Sequence, residues 1–143
     1  MTANPIINAI ELLDAALIAA FTPLVPTFQG APAVFFMQAP SGVSGALASG
    51  SLTKAIIISF TDSGGKRKDR VGYSGWEGRT VIHCYSDTKA TSNALLSSVS
   101  SSINALSIQG YTVDCTWVRP TIYVPQHNIW RLSGVWDIWI QRA

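Results

Sequence analysis

Apolar residues near the N-terminus recur with the period of an α-helix. Five of them follow one another at spacings of three or four and so share one helical face: Ile6, Ile10, Leu13, Leu17 and Phe21. Asn4-Pro5 predicts the start, because asparagine caps helices well and proline fits the first helical position. Thr22-Pro23 predicts the end, since proline restricts the residue before it. Glu11 and Asp14 lie off the apolar face.

Further along, β-branched and alternating runs predict strands. The strand segments are residues 33–38, 54–61, about 70–85, 111–118 and 129–141. The last has the clearest alternation: every second residue from Trp130 to Ile140 faces one way, while Arg131, Ser133 and Asp137 face the other. Trp136 therefore belongs to the core. Trp139 shares the more polar face with Arg131, and both are candidates for a subunit interface, where tryptophan is enriched.

A second helix is predicted between these strands. Ser86-Asp87 would cap it, and Leu95, Val99, Ile103 and Leu106 form its buried stripe. The predicted fold is one α+β domain over residues 1–143, with a mostly antiparallel sheet, two helices packed on it and a projecting β-hairpin.

The predicted hairpin carries a basic tip at about residues 62–70. Lys66, Arg67, Lys68 and Arg70 are four of the chain's ten basic residues. This cluster is either a phosphate-binding finger or an exposed charged turn that docks on a partner. The net charge of +2 does not favour nucleic acid by itself.

Charge is otherwise sparse. The 39 residues between Asp14 and Lys54 contain no Asp, Glu, Lys or Arg, which predicts either surface covered by a partner or a flexible loop. Residues 39–53 are predicted to form a loop that serves as a flexible or assembly arm, and its deletion from Ser41 to Ser51 should leave the subunit folded but impair assembly. Phe35, Phe36 and Met37 favour burial. The candidate interface residues in this half of the chain are Phe35, Phe36, Leu47 and Leu52.

No pattern indicates catalysis or a cofactor. The segments 42–45 and 72–75 are each one residue short of a G-x-S-x-G elbow, and 45–51 lacks the lysine of a phosphate-binding loop. His83 and Cys84 are adjacent in a strand and point to opposite faces, so they cannot grip one metal. We expect no enzyme, no metal and no cofactor. The apolar runs are also too short to span a membrane.

Most of the chain resembles the small tail-terminator and tail-completion proteins of long-tailed bacteriophages. The resemblance rests on the leading helix, the polar-tipped hairpin, the run RTVIHCYSDTKATSNALLSSVSSSINAL and the final strand IWRLSGVWDIWI. It implies a virion protein, assembled in the host cytoplasm, that forms a ring of usually six copies. Such a ring caps the tail tube and joins it to the neck, and DNA passes through without specific binding.

Two other functions stay open. The chain could be another neck, head-completion or tail tube component of the same kind of particle. It could also be a small nucleic-acid-binding module that uses the basic hairpin tip, with an affinity that falls as salt rises.

Overall fold

The structure is a computed structural model that describes the backbone of residues 5–60, 65–69, 72–122 and 129–142. Side chains are described over residues 11–59, 78–117 and 129–140. The predicted α+β class with an antiparallel-dominated sheet is confirmed.

The first helix, α1, spans Pro5–Phe21 and a single 3-10 turn follows at Thr22–Leu24. Its start at the proline agrees with the sequence prediction. Leu13, Leu17 and Phe21 are completely buried, which confirms the described part of the predicted face.

The extended segment after α1 holds three short strands, β1 (Thr27–Phe28), β2 (Ala31–Pro32) and β3 (Val34–Phe36). Strand β4 (Lys54–Phe60) then runs parallel to β3. Parallel neighbours need a crossover connection, and here the crossover contains a helix.

That helix, α2 (Val43–Ser49), overturns the prediction of a loop over residues 39–53. Val43, Leu47 and Leu52 are each only 2 % exposed and pack against Ala33 and Ala55. The segment is thus held by apolar burial inside the subunit. We therefore no longer expect its deletion to leave the fold intact.

Strand β5 (Gly65–Asp69) and the long strand β6 (Gly72–Ser86) form an antiparallel hairpin. Strand β6 continues past β5 to pair with β4, from Thr80 opposite Phe60 to Ser86 opposite Lys54. The first and last parts of β6 therefore have different neighbours on the same side.

Helix α3 (Lys89–Asn104) and strands β7 (Tyr111–Ile122) and β8 (Trp130–Arg142) complete the described chain. The six-stranded sheet has the order β3-β4-β6-β8-β7, and β5 lies beside β6. Strand β6 is thus the middle strand, β8 lies between β6 and β7, and β7 and β3 form opposite edges.

Helix α3 begins two residues later than predicted, because Thr88 is its cap. The Thr88 hydroxyl oxygen accepts a hydrogen bond of 3.1 Å from the backbone N–H of Thr91. The Ser86 hydroxyl is instead engaged with Ser92 at 2.7 Å, and the Ser92 hydroxyl donates to the carbonyl of Trp130 at 3.1 Å. These bonds fasten the start of α3 to β6 and β8.

The sheet separates two apolar clusters. Helices α1 and α3 cover its inner face, where the main core contains Leu17, Ile58, Ile82, Val99 and Trp136 among others. Helix α2 contributes to the second, smaller cluster on the outer face. Within the described residues, no helix is long and apolar enough to cross a membrane.

Two tryptophan rings, which meet edge-on beside a glycine, close the main core. Trp136 is 1 % exposed, which confirms its predicted burial, and its ring meets that of Trp117 edge-on with centroids 4.9 Å apart. Gly134, two residues earlier on β8, leaves the space that the indole fills. A Cβ added to Gly134 would lie 2.4 Å from the Trp136 ring and 2.9 Å from the Trp117 ring.

Replacing Gly134 by alanine should therefore destabilise the protein. The added methyl group would force the Trp136 indole out of its place, and such overpacking costs about 1–3 kcal/mol in the free energy of unfolding. Guanidinium denaturation followed by tryptophan fluorescence measures the loss.

Gly45→Ala is the matched control. Gly45 lies within α2 with nothing within 4 Å of an added Cβ, so its replacement should be neutral or stabilise by up to about 1 kcal/mol. In a Trp136→Phe background, the loss caused by Gly134→Ala should shrink because the smaller ring leaves room. Equal effects of the two alanine substitutions would contradict the proposed clash.

Leu47→Ala tests whether α2 belongs to the folded subunit. Removing a side chain from a closed apolar cluster should lower the free energy of unfolding by about 2–5 kcal/mol. Ser44→Ala, on the exposed part of the same helix, should change it by less than about 0.5 kcal/mol. If both variants unfold like the parent protein, α2 does not contribute to stability and the arm interpretation regains its basis.

Candidate assembly surfaces

The basic segment lies in a strand of the β5–β6 hairpin. Lys66, Arg67 and Lys68 are opposite Trp76, Gly75 and Tyr73 of β6, with a shift in register between Arg67 and Lys68. The sequence predicted a tip or turn here, but the backbone of these residues is extended and paired with β6. Arg70, the fourth predicted basic residue, lies outside the described residues.

The six candidate interface residues do not form one surface. Leu47 and Leu52 are buried in the outer-face cluster, where they stabilise the subunit itself and leave little surface for a neighbouring copy. Phe35 is half-buried in that cluster, with its ring edge-on to Phe28 at 6.4 Å. Phe36 is half-buried on the opposite side, against the main core.

Arg131 and Trp139 share the outer face of β8, as the alternation predicted, and both are half-buried. They are eight positions apart, which is roughly 27 Å along a strand. They therefore belong to different parts of the face and cannot contact the same small partner group.

A polar strip occupies the outer face between those two residues. His83 Nδ1 and Ser133 Oγ share a hydrogen bond of 2.6 Å, and Ser133 is completely buried. Further along, Arg79 Nε donates to Asp137 Oδ1 at 3.0 Å. Side chains of both partners of this ion pair are more than a third exposed, so solvent weakens it and it contributes little to stability.

The environment of His83 keeps its imidazole uncharged at neutral pH. Burial, and secondarily the positive charge of Arg131, lower the pKa of His83 from 6.5 to about 4. A neutral imidazole suits the contact with a buried hydroxyl, because a charge there would lose its hydration.

A cavity of about 220 Å³ lies between α2 and the outer face of the sheet. Val43 and Leu47 line its helix side, and Tyr85, Ile129 and Arg131 line its sheet side. Its lining carries no set of groups that resembles a nucleophile with its base.

The two cysteines are free thiols. Burial raises the pKa of Cys84 to about 12. Burial, followed by the charge of Asp114, raises the pKa of Cys115 to about 11. Both thiols are therefore protonated and unreactive near neutral pH. Among the residues that the structure describes, no three His, Cys, Asp or Glu side chains are grouped to hold a metal.

The exposure of two apolar side chains was not predicted from the sequence. Met37, which was expected to be buried, is 63 % exposed, and Trp117 is 46 % exposed. Their exposure depends on the strand order, which places them at opposite edges of the sheet. Hydrophobic alternation alone does not reveal which strand is an edge.

Comparison with known proteins shows a fold match without a sequence match. No protein-family model matches the chain, and none of the curated proteins does. Six chains of solved structures match its fold. One belongs to a virion of a native gene transfer agent (GTA) particle: it superposes with a TM-score of 0.64 at 17 % identity, over 93 % of this chain and 97 % of that chain. At 17 % identity the likeness shows that the two chains share a fold over most of their length.

The pKa of His83 predicts how stability depends on pH. Because the pKa is lower in the folded than in the unfolded chain, the unfolded chain binds more protons between pH 6.5 and 4. Stability should be fully present above pH 6.5 and fall as pH decreases towards 4. Measuring the free energy of unfolding against pH should show a shallower acid decline for His83→Gln than for the parent protein.

The pH profiles of the parent protein and the His83→Gln variant have to be compared because Asp14 also contributes to how stability depends on pH. Burial, and then the charge of Glu11, raise the pKa of Asp14, so its contribution has the opposite sign and stability falls as pH rises through its titration. The two proteins share Asp14, and its contribution cancels in their difference. Parallel pH profiles would show that His83 titrates alike in the folded and unfolded chains.

Proposed function

We propose that this protein is a structural component of a phage-related virion. In the finer form of the proposal, it forms a ring of about six copies at the head–tail junction, which caps the tail tube and joins it to the neck. The observation that carries the proposal is the fold shared over 93 % of the chain with a virion chain of a gene transfer agent particle, which is phage-like.

The resemblance of the sequence to tail-terminator and tail-completion proteins supports the finer form independently. That resemblance rests on the order of elements and on the final strand, and the structure contains both elements, β8 and the α1–sheet–α3 arrangement. Assembly in the host cytoplasm and incorporation into the virion follow from the same proposal.

The character of the surface also suits a subunit of a larger particle. Only 13 % of residues are charged, against about 25 % in an average soluble domain. A subunit with few charges can cover much of its surface with neighbours without burying unpaired charges. A ring requires two such surfaces, because each copy contacts its two neighbours through different faces.

The β5–β6 hairpin is the proposed contact to a partner above or below the ring. Lys66, Arg67 and Lys68 give this hairpin a positive charge, which suits acidic side chains on the tail tube or the neck. Contact with DNA in the channel is less suitable, since a conduit functions best when it does not hold the nucleic acid. Arg131 and Trp139 remain candidates for contacts between subunits.

Two other functions are alternatives to the ring subunit, and the same experiments distinguish them. Another neck, head-completion or tube component would share the ring assembly but occupy a different place in the particle. A nucleic-acid-binding module is favoured by one observation, the three consecutive basic residues on a hairpin strand. Such a module would bind phosphates with an affinity that falls steeply with salt.

The purified protein should assemble into closed rings. Light scattering should give a mass near six times 15.3 kDa, or a reversible rise towards that mass with concentration, and negative-stain images of the same fraction should show rings with a central channel. A mass of 15.3 kDa at all concentrations, both alone and with tail tube protein added, would contradict the proposal.

A titration with double-stranded DNA is the companion control. The ring proposal predicts weak binding, and reversal of charge at Lys66, Arg67 and Lys68 to glutamate should leave the mass of the assembly unchanged. Tight binding that this triple variant abolishes, in a protein that stays monomeric, would instead support the nucleic-acid-binding module.

A further inference from the structure

The described side chains include three large apolar ones that are exposed: Met37 (63 %), Trp117 (46 %) and Ile18 (37 %). The first two lie at opposite edges of the same sheet. Met37 directly follows the edge strand β3, and Trp117 lies on the other edge strand, β7. Ile18 lies on helix α1.

The backbone turns Met37 outward in a conformation that costs energy. Its φ is +69°, in the left-handed region that residues other than glycine rarely adopt. The conformation is held by a hydrogen bond of 2.8 Å from the Met37 N–H to the carbonyl of Ile58, and by another of 2.8 Å from the Gln38 N–H to the carbonyl of Phe36. Strain that is held in this way commonly marks a contact site.

The opposite edge carries a groove that is large enough to admit a methionine side chain. It lies between α3 and β7, has a volume of about 400 Å³, and is lined by Asn93, Leu96, Ser97, Ser100 and Trp117. The Trp117 ring forms an apolar wall that is held in place by Trp136. The other lining groups are small, polar and uncharged.

The side chains that form the two surfaces are uncharged, namely Met37 on one edge and the lining residues of the groove on the other, although β7 itself also contains Asp114 and Arg119. Met37 lies in the stretch between Asp14 and Lys54, and the α3 side of the groove lies in residues 90–113, which also contain no Asp, Glu, Lys or Arg. Contact between these segments would remove water without burying a charge. A partner that placed a charged side chain in the groove would find no opposite charge among its lining residues.

We propose that the occupant of the α3–β7 groove is Met37 of a second copy of this chain. The flexible thioether would enter the groove and contact the Trp117 ring, an arrangement that methionine and aromatic side chains favour. This inference rests on the proposed ring and deepens it by naming the contact. Because the two surfaces differ and lie at opposite edges, each copy offers one of each, and the assembly can close into a ring.

Engineered cysteines test the contact directly. Met37→Cys and Ser97→Cys place one thiol on each side of it, and the native thiols, protonated near neutral pH, are poor reactants. Under mild oxidation, the double variant should give a ladder of covalent oligomers that ends at the ring. A mixture of the two single variants should stop at dimers containing one chain of each.

The controls separate the named contact from ring formation itself. Oxidised parent protein should remain free of cross-links. Rings seen by negative stain with no ladder from the double variant would overturn the contact while leaving the ring standing. Dimers formed by Met37→Cys alone would show a symmetric contact and overturn the proposal, as would the absence of any assembly.

A charge at the contact should oppose assembly. Met37→Glu should raise the concentration for half-maximal assembly about tenfold or more, because the groove offers no cationic partner among its lining residues. Ile18→Glu is the matched control, since it makes the same type of change at an exposed apolar residue away from both edges, and it should assemble like the parent. Equal assembly of the Met37→Glu variant and the parent would overturn the contact.

Discussion

The position of the Trp136 indole over Gly134 is the contact on which the sheet depends. Strand β8 is an interior strand, with the middle strand β6 on one side and the edge strand β7 on the other. Its inner face carries the largest fully buried side chain, Trp136, directly beside a residue that can have no side chain of its own. The same indole supports Trp117 on the edge strand. One packing contact therefore joins the main core to the edge at which we place the subunit contact.

A division of roles between the two faces of the sheet follows from this core. The inner face is apolar and covered by α1 and α3, so it supplies stability. The outer face combines the α2 cluster with a polar strip that includes the His83–Ser133 hydrogen bond. The edges carry exposed apolar side chains, and we propose that neighbouring copies cover them. This distribution agrees with a subunit whose function is to assemble.

The sequence predicted those features that depend on residues close together along the chain. The faces of α1 and β8 follow from local periodicity, and their described residues are buried as expected. Helix α2 could not be predicted, because its serine- and glycine-rich sequence has low helix propensity and it forms only as the crossover between parallel strands β3 and β4. The exposure of Met37 was missed for a related reason, since Met37 follows an edge strand and has a φ of +69°, and alternation reveals neither feature. The choice of Thr88 as the helix cap depended on Ser86 having another hydrogen-bond partner.

We propose that this chain is a ring subunit at the junction of head and tail, and its location in assembled particles is the decisive test. Particles that carry an affinity tag on this protein can be imaged by electron microscopy with a gold-labelled ligand for the tag. We expect the gold label at a single position, where the tail meets the head, in particles of normal length. Label distributed along the tail or over the head surface, or particles that form without the protein, would contradict it.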